Sequence, residues 1–410
     1  MRLIPCVSCL VLVSASLAAE TGYQKSVTVA EPTRLDWTFV LSNQSVVDPP
    51  AEWIQDYDSR DQKYERFVPQ LQRKGESLPL VLFISAGDSP AGWGSLESVC
   101  KQKGIAFASP FGAGNNTPMP RRVRIILDVL DDLRRQFLID PDRTYVAGFS
   151  GGGRVACQVV FGLPELFGGV MPVCAGGDLR EEAWLRHRAI ERLSVAFLTG
   201  TEDFNLGEVE RFRGPMLTEM GVRTKVTVVP KMGHAIPNAK VFQSAVDWLE
   251  AGVAERRKMA QSFPASRIAP DQAPDREALA TRLLAEGESR IRNRETMFSG
   301  LMQLQGVMTR WPDLAAAEQA KKILIEFEGR PQKPWEDDDI AEQRKFLIAR
   351  ARALDAYASG KLPDQYVKQR PEMARAAIAL WEIVIQEGGD AKATTEGRRR
   401  VPELQKLLQP

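Results

Sequence analysis

Residues 148–152 read Gly-Phe-Ser-Gly-Gly and lie between Tyr145-Val-Ala147, a short aromatic and β-branched run, and a stretch with helical spacing. Few segments can turn sharply from a strand into a helix. Here a glycine two residues to either side of Ser150 removes the Cβ atoms that would collide as the backbone reverses. A chain that makes this turn feeds a strand directly into a helix, which implies a sheet with helices packed on it. The serine at the apex is left outward-facing at a helix N-terminus, its hydroxyl reachable.

The pattern on either side agrees. Residues 34–41, 62–68, 81–84, 104–109, 142–147, 169–174, 194–199 and 223–230 have the composition of strands, and 120–137, 184–193 and 238–254 have the apolar spacing of helices. Their alternation predicts an α/β fold, a doubly wound, mainly parallel sheet over residues 27–254. Such sheets bind ligands beyond the carboxyl ends of their strands. The loops there, 111–119, 175–184 and 204–208, are too short to hold a lid. They offer Asn115, Asn116, Arg180, Trp184 and Phe204 as candidate substrate contacts.

A serine used as a nucleophile near neutral pH needs an imidazole to take its proton, and the chain has two histidines. His187 falls in an amphipathic helix among charged neighbours and reads as a surface residue. His234 follows the 223–230 strand in the loop Lys231-Met-Gly-His234. An acid that fixes the imidazole tautomer should follow a strand between the two, and Gly200-Thr-Glu-Asp203 is so placed. Asp203 is favoured over Glu202, because the Gly-x-x-Asp spacing carries it past the strand end. Ser150 is then the candidate nucleophile, His234 the base and Asp203 its orienter. No zinc or haem spacing occurs beyond the leader, so neither metal nor cofactor is called for.

On the Gly-Phe-Ser-Gly-Gly turn, the Gly-Thr-Glu-Asp turn and Gly233-His234, taken in that order, residues 34–253 resemble the α/β-hydrolase superfamily. Within it they are similar to exported esterases such as polyhydroxybutyrate depolymerases and feruloyl esterases. The resemblance implies a serine carboxylesterase acting on esters, polymeric ones included, through an acyl-enzyme intermediate. It also implies an oxyanion hole made by the backbone N–H of Gly151 and of a residue after the 78–84 strand. That family usually has His-Gly there, whereas this chain has Ser85-Ala-Gly-Asp88. Gly87 is the donor by position, with Ala86 as the neighbouring alternative. A serine peptidase, an acyltransferase and an inactive hydrolase-fold binding protein are the other readings the motifs leave open.

The remaining features concern export and the second half of the chain. Residues 1–18 read as a signal peptide: Met1-Arg2, an apolar run to Leu17, and small residues at 16 and 18. This predicts export, periplasmic or secreted, and the run is too short for a membrane span. Lys plus Arg number 54 against 53 acids, so no long-range field attracts nucleic acid or an anionic membrane. Cys6 and Cys9 belong to the leader. Cys100, Cys157 and Cys174 read as buried free thiols, with a 157–174 bridge as the alternative.

Prolines at 264, 270 and 274 mark residues 255–274 as a linker. Residues 275–410 predict an all-α region, broken at Trp311-Pro-Asp313 and Gly388-Gly-Asp390, with a faint echo of tetratricopeptide-type hairpins. That region either packs on the first unit or offers a surface to a protein partner. Every candidate site residue precedes the linker.

Overall fold

The computed structural model describes residues 20–42, 44–70, 75–260, 272 and 275–408. The predicted leader, with Cys6 and Cys9, and residues 261–271, 273 and 274 of the predicted linker lie outside the described residues. Eight strands form one sheet: β1 (Gly22–Thr28), β2 (Lys63–Val68), β3 (Leu78–Ile84), β4 (Ala106–Pro110), β5 (Ile139–Phe149), β6 (Gly169–Val173), β7 (Ser194–Gly200) and β8 (Arg223–Val229). Their order is β1-β2-β4-β3-β5-β6-β7-β8. The β1–β2 and β2–β4 pairs are antiparallel and all others parallel. With the strand-to-helix turn after β5, this is the α/β-hydrolase arrangement.

Every residue of β3, β4, β6 and β7 is buried, which explains their unbroken apolar runs: a parallel sheet has helices on both faces and no wet side. On one face Val123, Val159 and Leu185 of helices Met119–Gln136, Gly151–Gly162 and Ala183–Arg192 join the core. On the other, Leu96 and Phe242 of helices Trp93–Lys103 and Ala239–Ala251 do so.

The stretch predicted as a strand at 34–41 departs from this plan, since Trp37–Leu41 is a short helix. Its lead-in joins no ladder. Carboxylates of helix Met119–Gln136 take its backbone donors instead: Ala30 N–H donates to Asp132 (3.0 Å), Thr33 N–H to Asp128 (2.7 Å) and Arg34 N–H to Asp131 (2.8 Å). The outermost strand lies earlier, at β1, a largely exposed edge whose polar residues gave no apolar signal.

Helix Val253–Met259 runs on through residues 255–259, the first part of the predicted linker. It is held to the start of β5 by Arg257, which reaches Asp140 (3.0 Å) and Asp142 (2.8 Å).

Among the described residues after 275, six long helices follow. Arg276–Arg290, Arg294–Arg310 and Ala315–Glu328 enclose Leu284, Leu304 and Trp311. Glu336–Ser359, Arg370–Glu387 and Ala391–Lys406 enclose Ile348, Trp381 and Leu404. Gly388 ends one of them in the left-handed conformation (φ +64°) that closes helices, where the sequence predicts a break. This region packs on the sheet domain: Met302, Ala349 and Ala353 belong to the same core as Trp184 and Leu185. No described helix is long and apolar enough to cross a membrane.

Candidate active site

Ser150 lies between β5 and helix Gly151–Gly162 with φ 53° and ψ −121°, a conformation that costs a non-glycine residue free energy and recurs at functional turns. The turn tolerates no side chain at the flanking glycines. A Cβ on Gly148 would sit 2.4 Å from the Gly152 carbonyl oxygen, and one on Gly152 2.2 Å from that of Ile84. Ser150 N–H donates to Val173 O (2.8 Å), fixing the turn to β6. Gly151 opens the helix, so its N–H has no partner one turn back within it.

The acid and the imidazole are brought together at the ends of the parallel pair β7–β8. Thr201 N–H donates to Val229 O (3.1 Å) and Glu202 N–H to Met232 O (3.0 Å), joining the two loops. Gly200 permits this approach, because a Cβ there would fall 1.9 Å from the Met232 oxygen. His234 Nδ1 lies 2.8 Å from Asp203 Oδ1, the carboxylate fully buried and the imidazole 18% exposed. Glu202 is exposed and directed elsewhere. His234 Nε2 and the Ser150 hydroxyl form no hydrogen bond among the described residues; in ligand-free hydrolases that bond is often long and tightens with substrate.

Sequence reasoning missed the cage around the acid. Asp203 Oδ1 also accepts Asn205 N–H (3.0 Å), the Asx turn that an Asp two residues before an Asn makes available. Its Oδ2 accepts the Thr199 hydroxyl (2.6 Å). The Cys174 thiol lies against it as well, and Asn205 donates its side-chain amide to Cys174 O (2.9 Å). Burial works against the charge on Asp203, but the Thr199 hydroxyl, the His234 ring, Asn205 N–H and the thiol outweigh it. The carboxyl is held below the usual carboxylate range. Burial, reinforced by that carboxylate, pushes the Cys174 thiol up, so it remains protonated and can donate. Cys174, Asp203 and His234 place one donor atom each within 4.8 Å of one another, a set with metal-ligand chemistry. The Asp203–His234 bond already joins two of them.

The other predicted contacts divide. A Cβ on Gly151 would lie 1.9 Å from Asn115 Oδ1, so the Asn115 amide lies over the start of the serine's helix, with Asn116 exposed beside it. Phe204, 48% exposed, stacks on the His234 ring with centroids 4.0 Å apart, and Phe149 packs on the same ring at 4.9 Å.

Arg180 and Trp184 are not at the site. Arg180 forks onto Glu182 (2.8 Å) and reaches the Val40 and Ser42 carbonyls. Trp184 is buried against Phe39 and Gly306, because helix Ala183–Arg192 turns its apolar face to the core that the helical region completes. His187 pairs with Glu191 (2.8 Å) on that helix, away from the serine. Cys100, Cys157 and Cys174 are buried and free, with no 157–174 bridge.

The oxyanion candidates differ in readiness. Gly87 N–H donates to Ser85 Oγ (3.1 Å), while Ala86 O accepts from Asn115 N–H (2.9 Å). Its side-chain partner gives Gly87 a competitor for any substrate oxygen.

No protein-family model matches the chain, and no curated protein matches it. Among solved structures it is similar to a thermostable esterase, at 21% identity and TM-score 0.36, over 46% of this chain and 59% of that one. A ferulic acid esterase is similar at 14% identity and TM-score 0.37, covering 48% and 93%. Est1E from Butyrivibrio proteoclasticus with ferulic acid bound is similar at 13% identity and TM-score 0.38, covering 48% and 98%.

Proposed function

We propose that this chain is a serine carboxylesterase in which Ser150, His234 and Asp203 act as a triad. The observation that carries the reading is the 2.8 Å Asp203–His234 contact, made by a ring that also packs on Phe149, the residue before Ser150 in the strained turn. His234 Nε2 takes the serine proton as Ser150 Oγ attacks the ester carbonyl carbon. The oxyanion that forms is met by Gly151 N–H and, once released from Ser85, by Gly87 N–H. As the carbonyl re-forms, the C–O bond to the alcohol breaks and the alcohol leaves with the proton held by His234. Water then repeats the sequence on the acyl-enzyme, releasing the acid and restoring the serine. Throughout, Asp203 holds the ring tautomer and stabilises the imidazolium. Asn115 and Asn116 line the approach, and residues 1–18 direct export to the periplasm or the medium.

Labelling with a fluorophosphonate tests the chemistry, since phosphonylation needs an activated serine and an oxyanion hole. Adduct on the Ser150 peptide, absent in Ser150→Ala and strongly slowed in His234→Ala, is expected. A folded protein that does not label, or labels at another residue, contradicts the reading.

A further inference from the structure

A cleft of about 320 Å³ opens beside the serine's helix, and two of its walls come from the far end of the chain. Arg154 lies one turn along from Ser150, its N–H donating to Ser150 O (3.2 Å). Its guanidinium forks onto Glu208 at 2.8 and 2.5 Å and remains 38% exposed. Glu208 also accepts Gly176 N–H (3.1 Å), so the carboxyl ends of β6 and β7 and the serine's helix meet at this acid. Ligands of doubly wound sheets bind at such a place. Arg211 lies between aromatic faces, 4.8 Å from the Phe212 ring and 5.1 Å from that of Tyr357, and its Nε is buried without a partner.

Tyr357 ends helix Glu336–Ser359, and Tyr366 lies in the turn Asp364–Gln369 that follows. Backbone approach brings the segment leading into that turn against the site: a Cβ on Gly207, directly before Glu208, would lie 3.0 Å from Lys361 O. Arg370 holds the same turn from behind, donating to Gly360 O (3.0 Å). Both tyrosines line the cleft, and neither hydroxyl makes a hydrogen bond among the described residues.

We infer that the helical region completes the substrate site, and that Tyr357 and Tyr366, with Arg154, Arg211, Glu208 and Phe212, form a subsite for a neutral, hydroxyl-rich ring carried by the ester. The lining selects against other groups. An anion would meet the Arg guanidiniums but also the Glu208 carboxylate. A plain acyl chain would leave the arginine and tyrosine donors without acceptors as it excluded water. Hydroxyls both donate and accept, satisfying Arg and Glu together, while the ring's C–H face rests on aromatic rings. The inference rests on the esterase reading for which molecule brings the ring, but the binding chemistry belongs to the cleft.

Two measurements on the full chain separate the claims. The first is the ratio of kcat/KM for glucose 6-acetate to that for p-nitrophenyl acetate. It should fall about tenfold in Tyr366→Ala and less in Tyr366→Phe, which keeps the stacking face, a tenfold change being about 1.4 kcal/mol. The second is glucose binding to the Ser150→Ala protein by saturation-transfer NMR, which should be lost when Tyr366→Ala is added. Glucose binding that depends on Tyr366 in a wild-type protein cleaving neither ester would retain the subsite and remove the esterase reading. Ester cleavage with an unchanged ratio in Tyr366→Ala, or glucose binding indifferent to Tyr366, would overturn the subsite.

Discussion

Arg310 of the helical region reaches Glu165 at 2.8 Å, with the two side chains 4% and 5% exposed. Asp36 lies on the other side of the same guanidinium at 3.3 Å. Burial opposes the charge on Arg310, yet the two acids hold its pKa above the ordinary guanidinium value. Removing one partner of such a pair leaves the other charge buried and alone. Arg310→Ala should therefore destabilise the protein by about 3–5 kcal/mol. Urea unfolding checks this, and a loss near zero would mean that this buried pair adds nothing to the joint between the two halves.

Ser150→Ala should lower kcat by about 10⁴ or more and leave the fold intact. Ser150→Gly should be equally inactive yet more stable by about 1 kcal/mol, because glycine adopts φ 53° without the cost a side chain brings. Thermal unfolding of the two variants side by side measures that strain; equal midpoints would mean the turn stores none.

Asp203→Asn should cost about 10⁴ in kcat, since the amide favours the wrong imidazole tautomer. Glu202→Gln should change little, its side chain being exposed. If the larger loss came from Glu202→Gln, the acid's role would pass to the neighbouring residue.

Ser85→Ala should raise kcat on short esters, up to about tenfold, by releasing Gly87 N–H from its internal acceptor for the transition-state oxygen. A loss of activity would instead mean that Ser85 itself serves the oxyanion.

Asp142 is buried, which favours its neutral form, but Arg257 and Arg192 outweigh burial and hold its carboxyl below the usual carboxylate range. A depressed native pKa means stability that is fully present above the unfolded value, about 3.9, and lost as the pH falls through the lower native one. The stability gap between wild type and Asp142→Asn should thus be constant at neutral pH and shrink below about pH 4. Denaturation titrations at several pH values read this, and a gap independent of pH would exclude the linkage.

What the sequence determined was local. The Gly148–Gly152 turn is a steric statement about adjacent backbone atoms. The buried strands are unbroken apolar runs, and the helix end at Gly388 is a single residue's freedom to take a positive φ. The order Ser150, Asp203, His234 followed from strand ends, each marked by its own glycine.

Tertiary structure decided what depends on approach between distant segments. Asp203 faces His234, and Glu202 does not, because Met232 O engages the Glu202 N–H and the Asx turn at Asn205 aims the neighbouring carboxylate. Trp184 begins a helix and turns inward, toward a core that residues after 275 complete, while Arg180 is drawn to Glu182 and to the Val40 and Ser42 carbonyls. Tyr357 and Tyr366 reach the cleft beside the helix that follows Ser150 only because the helical region docks on the sheet. Periodicity specifies which face of an element is apolar, but not which partner covers it. That choice is made by packing and by the pairing of buried charges across the chain.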